Sequence, residues 1–470
     1  MKDSKVVSSL REAIELSGLR DGMTISFHHH MRNGDYVVNM VMEQLSAMGI
    51  RDLTVNASAL FDVHAPLLTH IKNGTVTKLL TNYMSAGIGH AISDGLMDEP
   101  VEFRTHGGRP RDIALGITPI DVAFVAAPTS DTMGNCTGKL GKSACGSIGY
   151  AFPDAMYAKK VIVITDELVP YPLCGWSISE VYVDYVVPVE AIGDPAGIVS
   201  GTTRMTRNPV AIAIAETAAK VIHHSGLLKD GFSFQTGAGG ASLATAAFLR
   251  QIMQQEHIHG SYAQGGITGY LVDMLNEGLF RALLDVQCFD LKAAESIRTN
   301  PKHCEVSSAQ YASAGAKSAA VDSLDVAVLG ATEIDTDFNV NVHTDSNGYI
   351  MGGSGGHSDA AAGSKLAMIV TPIFRGRLPI VREHVTCIST PGCDVDVLVT
   401  QAGVAVNPKN KALHDRLKDA GLPVVDIHEL RERAERITGT PAPLALRERV
   451  VAKVISRDGA LLDTIRQPER

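Results

Sequence analysis

The sequence predicts an α/β protein of two tandem domains, each a mostly parallel sheet flanked by helices. Three observations carry this prediction. At 470 residues the chain is longer than one hydrophobic core commonly serves. Short β-prone apolar runs alternate with helix-length segments along its whole length. And two stretches half a chain apart, LRDGMTISF at 19–27 and LKDGFSF at 228–234, share one rhythm: Leu, a basic residue, Asp, Gly, then a β-prone segment ending Ser-Phe.

In the first half, the segment ending at Phe27 reads as a strand and HHHMRNGD at 28–35 as a loop. Val37, Val41, Leu45 and Met48 then form an apolar helical stripe that Asp35 is placed to cap, and strand 53–55 completes a βαβ unit. Further buried strands are expected at 122–126, 161–165 and 181–187. The second half repeats the pattern with a strand ending at Phe234, the loop QTGAGG at 235–240 and a helix through ASLATAAFL. Its other strands are expected at 283–286, 326–329, 367–370 and 395–400. Two glycine/proline clusters within 192–209 mark the boundary, dividing the chain into domains 1–205 and 206–470. From Asn410 onward, LHDRLKDAGL and IHELRERAERITG alternate charges at helical spacing and predict a solvated helical cap on the second domain.

Composition excludes several classes of function. With 45% hydrophobic and 20% charged residues the chain folds rather than remaining disordered. A net charge of −9 without a long basic run argues against nucleic-acid binding by phosphate neutralisation, so any anion site must be local. Seven cysteines without a CxxC pair suit free thiols in a reducing compartment, and the cytoplasm is expected. The N-terminus carries charges where a signal peptide needs its apolar centre, and no run of about 18 strongly apolar residues predicts a membrane span.

Several clusters are candidates for chemistry. In TGAGG at 236–240, Gly237, Gly239 and Gly240 lie between strand and helix, where backbone N–H groups suit an anion or oxyanion; tight packing is the alternative. GGSGGHSD at 352–359 puts Gly352, Gly353, Gly355 and Gly356 in five positions, as a backbone-lined ligand site would, with His357 as an oxyanion donor or a helix cap. On an extended backbone His28 and His30 share one side while His29 points away. With Arg32 they form an anion or carboxylate site, or else serve as structural histidines; a metal would need further ligands that no Cys/His spacing supplies. Arg104, Arg109 and Arg111 around Gly107–Gly108 read equally as an anion contact or a solvated turn, and Arg204 and Arg207 are substrate candidates at the boundary. Cys136, Cys145 and Cys174 read as buried thiols rather than nucleophiles.

Long segments in order resemble the CoA-transferase superfamily and, within it, the citrate lyase α-subunit family. They are ISFHHHMRNGD at 25–35, IDVAFVAAPTSDTMGNCTG at 120–138, GDPAGIVSGTTR at 193–204, DGFSFQTGAGGASLATAAFL at 230–249, VLGATEIDTDFNVN at 328–341, GGSGGHSDAAAGSK at 352–365 and VDVLVTQAGVAVNP at 395–408. The resemblance implies two CoA-transferase-like domains that exchange citrate for acetate on a thioester. The thioester is acetyl-CoA or the phosphoribosyl-dephospho-CoA group of a carrier subunit, with no tightly bound cofactor and no metal. It also implies an oligomeric complex with a β subunit, which cleaves the citryl thioester, and a γ acyl-carrier subunit. Covalent members of the superfamily use a glutamate after the second glycine loop and helix; here GSYAQGGITG at 260–269 has no carboxylate, and the nearest residue in character is Gln264. The expected route is therefore attack by the incoming carboxylate, already ionised at neutral pH, through a mixed anhydride. Gly237, Gly239, Gly240, Gln264 and His357 are the expected catalytic set. His28, His30, Arg32, Arg204 and Arg207 are expected to hold citrate, and Gly352, Gly353, Gly355 and Gly356 the thioester. The rival readings are a malonate decarboxylase α subunit, a CoA-ester hydrolase, a catalytically silent citrate sensor or scaffold, and a histidine-bound metalloprotein.

Overall fold

The computed structural model describes residues 4–199, 205–237 and 239–469. Runs such as VAFVA (Val122–Ala126), KVIVIT (Lys160–Thr165) and LAMIV (Leu366–Val370) are buried almost throughout, as parallel strands covered on both faces require. The first sheet has nine strands in the order Tyr185–Pro188, Lys160–Thr165, Val122–Ala126, Thr24–Phe27, Leu53–Ala57, Val76–Thr81, Val101–Phe103, Leu446–Ile455 and Leu461–Pro468. The second has eight: His303–Glu305, Phe280–Cys288, Gly260–Ile267, Ser233–Thr236, Val326–Leu329, Leu366–Val370, Val397–Thr400 and Gly403–Val406. All neighbours in both sheets are parallel except the last pair of each.

The two sheets share one topology. In each, the strand that ends the repeated Asp-Gly rhythm (Thr24–Phe27 and Ser233–Thr236) lies near the middle. The next three strands extend to one side, after which the chain returns to build the other. That reversal opens a crevice at the carboxyl ends of the central strands, the usual ligand position in such sheets. The loop 28–35 leaves the first crevice, and Gly237 follows the central strand at the second. The helix after the first loop, Val37–Ala47, starts where expected, with Val37 and Val38 donating backbone N–H to the Asp35 carboxylate at 3.2 Å each.

Three expectations are corrected. Residues 181–187 split into a short 3-10 turn, Glu180–Tyr182, and the strand Tyr185–Pro188. The C-terminal region does form helices, Lys411–Asp419 and Ile427–Thr438, but it is not a helical cap alone: Leu446–Ile455 and Leu461–Pro468 make a hairpin that pairs in parallel with Val101–Phe103 of the first sheet. The charges of LRERVVAK hide a strand at the rim of the sheet, where one face meets water. Cys174 is exposed, whereas Cys136 and Cys145 are buried.

The halves meet through buried polar contacts. Asp359 accepts from Thr105 Oγ1 and Gly107 N at 2.8 Å each, and burial lifts its carboxyl to about 6. Glu305 accepts from Ile148 N at 2.9 Å and Ser177 Oγ at 2.6 Å, and Gln287 Nε2 donates to the His29 carbonyl at 2.9 Å.

Candidate active site

Two adjoining cavities open at the second crevice. The inner one, about 490 Å³, lies between the halves, with His106 and Tyr150 from the first and Gln235, Phe289 and Tyr311 from the second in its wall. The outer one, about 560 Å³, is lined by Gly239, Gly240, Ala241 and Ser242 and by Asn208 and Gln401. Gly330, Ala331 and Arg375 border both. Among the described residues lining either cavity there is no Asp, Glu, Cys or Lys, and Arg375 is the single ionised side chain.

The glycine loop divides its tasks. Gly237 borders the inner cavity, but its N–H donates to the Val328 carbonyl at 2.8 Å, so it is not the oxyanion donor expected. Gly239 and Gly240 begin the helix Gly240–Glu256, which has no side-chain cap; the first-turn amides of Ala241 and Ser242 lack partners within the helix and border the outer cavity.

The histidine triplet departs from strict alternation because the strand ends at Phe27 and a turn begins at His30. His28 and His30 do meet through their Nδ1 atoms, with ring centroids 4.5 Å apart. However, their Nε2 atoms accept from Ala126 N at 2.9 Å and Tyr150 N at 3.2 Å, and neither ring borders a cavity. The expected citrate contact by this pair is therefore corrected to a structural role. It is His29 that backs the cavity wall, stacking on Tyr150 at 4.6 Å and His106 at 5.5 Å. Burial holds His28 near 4 and His106 near 3, the latter helped by the neighbouring Arg109 cation. These rings are neutral at physiological pH.

Arg32 lies between the Phe61 and Phe289 rings, 5.0 Å from each centroid, behind the wall rather than in it. Arg207 is exposed and borders neither cavity, and Arg204 lies outside the described residues. Arg109 is neither anion contact nor solvated turn: fully buried, it makes a bidentate pair with Asp154 at 2.7 and 2.9 Å. Arg104 and Arg111 both pair with Asp112.

The second glycine cluster owes its composition to close packing, against the first half at Gly353 and within the second half at Gly356. A Cβ at Gly353 would lie 2.2 Å from the Asn82 carbonyl oxygen, and one at Gly356 2.3 Å from the Tyr311 hydroxyl. Gly352 N donates to the His343 carbonyl and Gly355 N to that of Asn82, so these amides are not available to a thioester; only Gly353 and Gly356 border the inner cavity. His357 borders it too, but Nε2 donates to the Gly330 carbonyl and Nδ1 accepts from Thr390 Oγ1, both at 2.8 Å. Burial lowers it to about 4, so it fixes the Gly330 turn rather than acting on substrate. Gln264 is buried and borders neither cavity; its Nε2 donates to Gln235 Oε1 at 3.0 Å.

A trio that could hold a metal by proximity, Asp285, Cys288 and His303, is joined internally. The Cys288 thiol and His303 Nε2 both donate to Asp285 at 2.9 Å, and His303 Nδ1 bonds Ser296 Oγ.

Sequence reasoning missed His106, Tyr150, Tyr311, Gln235 and Arg375. Gln235 was within reach, since it lies near the end of the central strand at the crevice; the others come from separate segments that only the tertiary fold brings together.

Residues 3–468 match the family model described as Citrate lyase, alpha subunit. The chain is 51% identical over 466 residues to the citrate lyase alpha chain of Klebsiella pneumoniae, covering 99% of this chain and 92% of that one. To the Escherichia coli (strain K12) alpha chain it is 50% identical, covering 99% and 91%. Among solved structures it superposes on the citrate lyase α subunit of Streptococcus mutans in complex with citrate with TM-score 0.98 at 48% identity, covering all of this chain and 92% of that one. The malonate decarboxylase α subunit of Acinetobacter baumannii shares the fold at TM-score 0.67 and 16% identity, covering 92% of this chain and 88% of that one.

Proposed function

Given that the chain belongs to the citrate lyase α-subunit family, the transferase component of a multi-subunit enzyme, we propose that citrate's own carboxylate is the nucleophile and that this chain supplies no covalent intermediate. One observation carries this reading: no carboxylate or thiol side chain lines either cavity among the described residues. A glutamyl or cysteinyl acyl-enzyme needs such a group, whereas citrate brings a carboxylate already ionised.

In this reading the acetyl thioester enters along the outer cavity, its pantetheine arm beside the helix start at Gly239–Ser242, and citrate occupies the inner cavity. A citrate carboxylate oxygen bonds to the acetyl carbon as the carbonyl electron pair moves onto oxygen. Collapse breaks the C–S bond and releases thiolate, leaving an acetic citric anhydride. The thiolate attacks the citryl carbonyl; its C–O bond breaks and acetate departs with the bridging oxygen. No proton needs to move. What the chain contributes is orientation, exclusion of water and donors for the oxyanion. Arg375, whose side chain makes no hydrogen bond or ion pair among the described residues, meets citrate's remaining charge from the border of the two cavities. The physiological thioester is that of a γ acyl-carrier subunit bearing the phosphoribosyl-dephospho-CoA group, a β subunit cleaves the citryl product, and free acetyl-CoA substitutes in solution.

The test is to mix purified protein with acetyl-CoA and citrate. Citryl-CoA and acetate should form, and hydroxylamine should trap no acyl group on the protein; a trapped adduct defeats the reading.

A further inference from the structure

Tyr311 stands at the end of a directed chain of buried hydrogen bonds. Gln264 Nε2 donates to Gln235 Oε1 at 3.0 Å, and Gln235 Nε2 donates to the Tyr311 hydroxyl at 2.9 Å. An amide N–H can only donate, so the Tyr311 oxygen acts as acceptor in this chain. Its own hydrogen meets no bonded acceptor among the described residues, and the ring borders the inner cavity. Two glycines make room for this arrangement. Gly265, at φ +100, sits in the strand irregularity at 265/266, and a Cβ there would press on Gln235 Cδ at 3.3 Å. Gly356 leaves free the space beside the Tyr311 oxygen. Gln264 Oε1 is buried without a partner, a cost that a mere space-filling residue would avoid.

Tyr150, from the other half, borders the same cavity, and its hydroxyl also has no hydrogen-bond partner among the described residues. Burial raises both phenols well above their ordinary range, so each stays a donor at working pH.

We infer that the Tyr311 and Tyr150 phenols form the donor pair for the oxyanion of the transfer step, and that Gln264 is a positioning residue that polarises Tyr311 through Gln235. The inference rests on the carboxylate-transfer reading above. As the citrate oxygen bonds to the acetyl carbon, the carbonyl electron pair moves onto an oxygen that receives both O–H groups. When the C–S bond breaks the pair returns and the hydrogen bonds slacken. No proton is transferred.

The full-length protein is assayed with acetyl-CoA and citrate. Tyr311→Phe keeps the ring and removes the donor; kcat should fall about 10²–10³-fold, the typical loss of one oxyanion donor, with KM for citrate changed less than about threefold. Gln264→Leu should lower kcat roughly tenfold in the native background and have no further effect in the Tyr311→Phe background, because the relay then ends on nothing. A structural role would give equal losses in both backgrounds. A kcat for Tyr311→Phe within threefold of the native value, a loss confined to KM, or additive effects of the two substitutions would each overturn the inference. Acyl-enzyme trapped from the native protein instead defeats the transfer reading, while these kinetic losses still report on the donors.

Discussion

Acidification should loosen the junction between the halves, by an amount that follows from its histidines. His28, His106, His343 and His357 are all buried, and burial holds them at about 4, 3, 3 and 4 against an ordinary 6.5. A folded value below the unfolded one gives stability that is present above 6.5 and lost as pH falls toward the folded value. At pH 5 the unfolded chain binds protons that the folded chain refuses, and each ring costs about 2 kcal/mol relative to pH 7. His29 and His30 shift in the same direction. Asp359, raised to about 6, has the opposite sign: its contribution favours the folded state at low pH and is lost as pH rises through 6, so it returns about 1 kcal/mol on going from pH 7 to 5. The net loss from these four rings and Asp359 is about 6–7 kcal/mol, a large share of the 5–15 kcal/mol typical of a native protein. Denaturant unfolding followed by circular dichroism at the two pH values measures it through the shift in midpoint. His106→Phe removes one titrating ring from the stack and should shrink the difference by about 2 kcal/mol. Equal or greater stability at pH 5 would refute the reasoning.

Arg375→Gln removes the only ionised side chain lining the cavities among the described residues; kcat/KM should drop roughly 10–100-fold, as for a lost charge-assisted hydrogen bond, with little change in melting temperature because the residue is exposed. Native kinetics in that variant would contradict the assignment. Gly353→Ala drives a methyl group against the Asn82 carbonyl and should cost about 1–3 kcal/mol, seen by calorimetry; an unchanged melting curve would mean that the halves do not meet there. Arg109→Met strands the buried Asp154 carboxylate and should cost about 3–5 kcal/mol, most of it recovered when Asp154→Leu is added; a persistent loss in the double variant would locate the effect elsewhere.

Much of the fold was legible because it is local. The Asp-Gly rhythm before Thr24–Phe27 and Ser233–Thr236 does mark the central strand of each sheet, and the stripe through Val37, Val41 and Leu45 does form a helix. The site was less legible because burial and pairing are tertiary. Nothing in the spacing of Arg109 reveals that Asp154 waits for it 45 residues on. The glycine cluster 352–356 looks the same whether a ligand or another part of the protein comes close, and here it is Asn82 and Tyr311 that do. Alternation along a strand predicts an extended pair of His28 and His30, but the turn at His30 directs both Nε2 atoms to backbone amides. Tyr150 and Tyr311 carry no local pattern at all: their rings meet the cavity because the fold brings a turn of the first half beside the short helix Ser308–Ala312 of the second.

The central claim, that citrate supplies the attacking oxygen, is tested most directly by one turnover with enzyme in excess over acetyl-CoA and with citrate labelled in its carboxylates with heavy oxygen. Acetate released in that first turnover should carry one citrate oxygen. Unlabelled acetate, with the label appearing on the protein instead, would contradict it.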